Sequence, residues 1–227
     1  MDLYEMTVLL GTLDAQCSAF ETNHQHRDDA YRRLVDAMDT AHSKTAPISD
    51  EGDRAIRLDE LRTELNVSAI QTEVWASNIS MLNAAANAYK LSWNKSKYST
   101  ERAELRSLLE EPDEEPTGVR DVRNSFEHQD ERIFKHFKDE AARLRNDSDH
   151  GRIHLSYLIV DDPGVDQVDA LPDRNRIYGL WNASSDVMSF WDDDVDLRAV
   201  ASHLRCMKAK IPAARSAAAH ASGAQIL

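Results

Sequence analysis

The chain reads as a mainly α-helical protein: a helical bundle carrying a small appended antiparallel β-sheet and a closing C-terminal helix. Three observations predict this. Gly and Pro are sparse, 7 and 6 in 227 residues, and tight turns between short strands usually need one of them. Over the first two-thirds, apolar residues recur at three- and four-residue steps, which gathers them on one face of a helix. From Arg152 onward the spacing changes to alternation, the mark of half-buried strands.

The first predicted helix covers residues 2–42. Val8, Leu9, Leu13 and Phe20, then Tyr31, Leu34, Val35 and Met38, keep the helical period. Residues 21–26 are polar all round and read as either a break or a solvated mid-section. A polar loop with Pro47 follows over residues 43–53. The second helix is predicted over residues 53–93, on a stripe that includes Leu61, Leu65, Ile70, Val74, Leu82 and Ala86. Forty residues of helix would be about 60 Å long. That exceeds one compact layer, so a kink or a dimer contact is expected. Thr100 is the expected cap of a short helix over residues 101–109.

Residues 110–116 read as a linker, because two prolines and five acids neither continue a helix nor bury themselves. Thr117 is the expected N-cap of the next helix, which runs to about Arg145 and carries Phe126, Ile133, Phe137 and Leu144. Residues 146–151 stop it. Strands are predicted over residues 152–160, 176–181 and 186–191, the last two joined by a hairpin at residues 182–185. The last helix starts near Val195, Pro212 kinks or ends it, and the Ala/Ser-rich tail is expected to fray. The expected organisation is a helical bundle over residues 1–146. Residues 147–227 add a three-stranded antiparallel sheet and the closing helix, packed on the bundle as one compact unit.

Composition narrows the function classes. Hydrophobic content of 41% and charged content of 30% belong to a folded globular chain rather than a disordered one. Cys17 and Cys206 lie far apart in sequence and read as two buried thiols in a reducing compartment. The first six residues are acidic where a secretory signal would be basic. No run approaches the roughly 18 apolar residues needed to cross a bilayer. A cytoplasmic protein without a membrane partner is expected. The net charge of −13 repels polyanions at long range, so any nucleic-acid function requires a local exception.

One segment is chemically pointed: Arg123-Asn124-Ser125-Phe126-Glu127-His128. On a helix Asn124 and His128 share a face, and Arg123 and Glu127 share a neighbouring one. Arg123 and His128 are five residues apart, about 140° around the axis at roughly 100° per residue. A long guanidinium can still reach back toward the imidazole. Histidine can take or deliver a proton near neutrality. Arginine clamps a phosphate whose charge grows in the transition state. RNA supplies its own nucleophile, the 2′-hydroxyl, so no catalytic Ser or Cys is needed. Glu127, Asp130 and Glu131 are placed to orient or charge-stabilise the histidine. The same spacing also describes an ordinary helix surface in which Arg123 and Glu127 simply pair.

The longer string, Val122 through Ile133, resembles the signature of the HEPN superfamily, helical domains marked by an arginine, four to six residues, then a histidine. Asn124 matches the polar residue that often follows that arginine. The resemblance covers the helices up to about Arg145 and leaves residues 152–227 outside the family's core. It implies a helical bundle, a homodimer that pairs two motifs and, in active members, metal-independent RNA cleavage. It also implies a role as a toxin or antiviral defence component, with a nucleotidyltransferase antitoxin as a possible protein partner. By match Arg123, Asn124 and His128 are the expected site residues, and no cofactor or metal is expected. Residues 118–145 hold seven Lys/Arg against six Asp/Glu, so the motif region is near neutral within an acidic chain. The alternative, from another class, is a non-catalytic dimeric scaffold whose acidic face binds a protein.

Other groupings carry less. His24 and His26, with Glu21 and Asp28, cannot chelate together on a helix, since i and i+2 point apart. His150 and His154 lack a third ligand nearby in sequence. Asp192-Asp193-Asp194-Val195-Asp196 lacks the Gly and terminal Glu of a calcium loop and reads as a cap for the last helix. Trp75, Trp93, Trp181 and Trp191 read as core anchors, with base stacking by Trp181 and Trp191 as the second possibility. No Gly-rich phosphate loop, nucleophile elbow or zinc pattern is present in the sequence.

Overall fold

The computed structural model describes residues 2–93, 98–116, 118–121, 124, 157–161, 179–190 and 193–221. Four helices come first: α1 (Leu3–Thr45), α2 (Glu51–Glu64), α3 (Val67–Trp93) and α4 (Ser99–Leu108). A small sheet follows, then the closing helix α5 (Leu197–Ala221). The mainly helical class, the small sheet and the C-terminal helix are as expected. The chain divides into two units, one made of Met1–Cys17 and Ala85–Leu227, the other of Ser18–Ala84.

Local chemistry explains the boundaries. Asp2 and Glu5 form a reciprocal capping box at the start of α1, with Glu5 N–H donating to Asp2 at 2.7 Å and Asp2 N–H to Glu5 at 3.1 Å. α1 does not break at residues 21–26. Asn23 donates its amide to Ala19 O at 2.8 Å, and His24 pairs with Asp28 one turn on at 3.2 Å, so the polar stretch is satisfied on the helix itself. Asp50 caps α2 by accepting from Asp53 N–H at 2.9 Å. The single helix predicted over residues 53–93 is divided at Leu65 and Asn66, where Asn66 takes φ 54. Asparagine tolerates that left-handed conformation better than most residues. Thr100 is not the cap of α4: the helix begins a residue earlier, after Tyr98 at φ 67, which makes no side-chain capping bond.

In the second unit Phe20, Leu34, Leu61, Val74 and Met81 are buried, and so is one cation. Arg27, 3% exposed, donates to Asp28 at 2.9 and 3.1 Å and meets His24 Nε2 at 3.2 Å and Asn78 Oδ1 at 3.5 Å. A buried guanidinium needs such partners to offset its desolvation. Burial pushes the Asp28 carboxyl up, but hydrogen bonds from His24 and Arg27, with their charges, outweigh it and hold the carboxyl below its ordinary range.

The sheet lies in the first unit and corrects the three-stranded antiparallel expectation. It has four strands in the order β1 (Tyr157–Val160), β2 (Gly179–Asn182), β3 (Val187–Phe190) and β4 (Asp193–Asp196). β1 pairs parallel to β2, with Leu158 opposite Leu180, while β2/β3 and β3/β4 are antiparallel. The expected hairpin at residues 182–185 is present. Between β1 and β2 lies a connection too long for a hairpin, and only a long crossover permits parallel pairing. β4 is the aspartate run expected only to cap the helix. Asp193 and Asp194 extend along β3, Val195 is the one buried side chain, and Asp196 alone caps α5 by accepting from Ala199 N–H at 2.8 Å. Acidic side chains on an outer strand also discourage edge-to-edge association.

Trp75, Trp93 and Trp181 are buried, as expected of core anchors, and Trp181 donates to the buried Asp186 at 3.0 Å, which excludes the second possibility of stacking a base; Trp191 lies outside the described residues. Two further expectations are corrected here. Pro212 does not end α5, which continues to Ala221 because its buried face, Leu204, Met207, Ile211 and Ala214, runs across the proline. Losing one backbone donor costs less there than exposing that face. Cys17 is buried as expected, but Cys206, between the inward Leu204 and Met207, is exposed. Among the described residues no helix is long and apolar enough to cross a membrane.

Candidate functional site

A cleft of about 150 Å³ opens in the first unit. One wall is α3, where Ala86, Tyr89 and Lys90 share a face at helical spacing. The other runs from the end of the acidic linker onward, contributing Glu115, Val119, Arg120 and Asn124. Residues 119–121 and 124 are helical, so Arg120 and Asn124 stand one turn apart on the same side. Lys90 and Arg120 are exposed, Val119 is buried and Asn124 is half-buried. Glu115 lies 3.7 Å from the Arg120 guanidinium, a distance that leaves most of the cation's donors to water. In a chain of net charge −13, this cleft gathers two cations and an amide with one carboxylate.

What positions that second wall is a set of bonds to the linker. Glu111 was expected to be solvated with its acidic neighbours; instead its side chain is 4% exposed. It accepts from His203 Nε2 and Lys210 Nζ of α5, both at 2.8 Å, and those two donors, one of them the Lys210 ammonium, offset its burial. Lys210 also donates to Glu110 O at 3.2 Å. Trp93 Nε1 donates to Pro112 O at 2.9 Å, and Arg106 reaches both Ser92 O at 2.6 Å and Asp113 at 2.9 Å. Glu110 turns the chain at φ 52, and Glu111 N–H closes back on Arg106 O at 2.9 Å.

The buried array reaches the cleft through Tyr89. His203 bridges Glu111 and Tyr89: its Nε2 meets the Glu111 carboxylate at 2.8 Å and its Nδ1 lies 3.0 Å from the Tyr89 hydroxyl. Burial, with the nearby Cys17, Glu111 and Glu115, holds that phenol well above its ordinary range, so it stays a donor. Tyr89 and Trp93 meet edge to face at 5.4 Å, and the His203 ring lies 5.5 Å from Tyr89. α3, the linker and α5 are thereby locked at one point beside the cleft.

Gly118 fixes the approach of the second wall to the sheet. It adopts φ 96, and a Cβ there would lie 2.9 Å from Asp194 O and 3.5 Å from Val195 Cα. Both obstacles are backbone atoms of β4. Gly118→Ala is expected to destabilise the chain by about 2–4 kcal/mol, from left-handed strain plus overpacking; chemical denaturation measures it.

Of the residues singled out from sequence, Asn124 stands in the cleft wall. Arg123, Glu127, His128, Asp130 and Glu131 lie outside the described residues. Sequence reasoning missed Lys90, Arg120, Tyr89, Glu111 and His203. Arg120 had a signal, a second arginine one turn before Arg123, whereas Lys90 is one of many surface lysines. Among the described residues no group of three or more His, Cys, Asp or Glu side chains is arranged to hold a metal ion.

The fold and cleft thus define a mainly helical protein with a small mixed sheet and a cleft lined by Lys90, Arg120, Asn124 and one carboxylate. No protein-family model, no curated protein and no solved structure matches the chain.

Proposed function

We propose that the chain is a HEPN-like protein that binds RNA at this cleft and cleaves it without a metal, as a toxin or phage-defence component. The observation that carries the reading is the placing of Asn124, one of three motif residues, in a cleft with Lys90 and Arg120 while the chain as a whole is strongly acidic. A backbone phosphate is the ligand that two cations and an amide donor recognise together. Arg123 would clamp the scissile phosphate, with Asn124 as orienter or second donor and His128 as the acid/base.

The reaction follows from those groups. The 2′-oxygen attacks phosphorus as its proton passes to an imidazole. The bond to the 5′-oxygen breaks, and that oxygen leaves with a proton from a second acid. Two proton transfers are required, and a homodimer bringing two His128 side chains to one phosphate would supply both. A nucleotidyltransferase antitoxin is the proposed controlling partner.

The test is incubation of the purified chain with labelled RNA in EDTA. The reading requires cleavage, with 2′,3′-cyclic phosphate on one fragment and a 5′-hydroxyl on the other. Intact RNA, or fragments ending in 5′-phosphate, would refute the cleavage chemistry.

A further inference from the structure

Among the described residues five large hydrophobic side chains are exposed, and three of them, Tyr4, Val8 and Tyr98, line one groove. The groove lies in the first unit, has a volume of about 380 Å³ and is walled by the start of α1, the end of α3 and the start of α4. Leu9 and Leu91 complete its apolar lining, Glu5 and Glu101 place carboxylates in it, and Arg102 adds one guanidinium. Tyr4 is 78% exposed and Tyr98 66%. Tyr98 is also held at φ 67, a conformation that glycine or asparagine adopts at much lower cost. A strained tyrosine with its ring in water serves the fold less well than either. The ring is left available to whatever fills the groove.

We propose that this groove docks a short amphipathic helix from another protein, apolar on the inserted face and flanked by lysine or arginine. The groove's form suits that occupant: a helix set in a groove needs only about three or four apolar anchor sites, and Tyr4, Val8, Leu9, Leu91 and Tyr98 line this one. Charge sets the flanks. Glu5 and Glu101 outnumber Arg102 in the groove, Asp2 precedes Tyr4, and the chain carries −13 overall. Those carboxylates oppose a nucleic-acid backbone and also a second copy of equally acidic charge. The inference does not depend on RNA cleavage.

The test is a selection from displayed helical peptides against the intact chain, followed by titration of the winners against Tyr4→Ser and Tyr98→Asn. Selected peptides should carry three apolar residues on one face with basic flanks, and should bind either variant at least tenfold more weakly. Tyr98→Asn should melt no lower than the wild type, because it removes the ring and eases the backbone, and should cut RNA at the same rate. The proposal is overturned by a selection that enriches nothing, by acidic flanks, or by undiminished affinity for both variants. It is equally overturned if the variants instead abolish self-association in sedimentation, or weaken binding to single-stranded RNA.

Discussion

His128→Ala should lower the rate of RNA cleavage by about 10²–10⁴-fold, the usual contribution of a positioned acid/base. On the proposed reading alanine leaves the Arg123 clamp in place, so RNA affinity should change far less than turnover. Arg123→Ala should cost about 10²–10³-fold, the scale of removing one donor to developing oxyanion charge. Arg123→Lys should restore little, since an ammonium cannot present the planar fork that holds two phosphate oxygens. Circular dichroism and melting of each variant separate lost chemistry from lost fold. Cleavage at equal rates by wild type and His128→Ala would mean a contaminating nuclease, and the assignment of His128 would fall.

The second large effect belongs to a residue that touches no substrate. Glu111→Ala should destabilise the chain by about 2–3 kcal/mol, because a buried carboxylate bonded to His203 and the Lys210 ammonium is lost. The figure is below the full cost of breaking a buried pair. His203 and Lys210 are 23% and 35% exposed and regain water when the carboxylate goes. The same substitution frees the linker from α5 and loosens the wall that carries Arg120 and Asn124. RNA affinity should therefore fall with stability. Glu111→Gln, which keeps an acceptor but no charge, should lie between wild type and Ala on both scales. Urea unfolding and RNA titration of the three proteins give the ordering. A Glu111→Ala chain that loses stability yet binds RNA as tightly as the parent would show that the wall is positioned by other contacts.

How much was legible beforehand follows from where the information sits. Helical period and scarce Gly and Pro are local signals, and they located α1, the α2/α3 stretch, α4 and α5. The failures are places where tertiary context overrode local preference. Asn66 interrupts an apolar stripe that continues on both sides, so periodicity alone ran through it. Asp193–Asp196 has the composition of a cap or loop, and only Val195 alternates with it to show the strand. Pro212 ends a helix by propensity, but a buried face spans it. Glu111 is one of five acids in seven residues, and nothing local distinguishes the one that meets His203 and Lys210 across 92 and 99 positions of chain. Asn124 was accessible from a motif. Lys90 enters the cleft only because the linker folds back against α3, which no spacing encodes.

The central claim is that a phosphate of RNA binds between Lys90, Arg120 and Asn124. Its most direct measurement is the salt dependence of RNA affinity for the catalytically silent His128→Ala chain and for that chain with Lys90→Ala, Arg120→Ala or both. Each phosphate contact to a single strand contributes about 0.7 to the slope of log affinity against log salt. Because both cations meet one phosphate, the double substitution should flatten the slope by roughly that amount, and either single substitution by less. Slopes and affinities identical to those of the parent would place the RNA elsewhere on the protein.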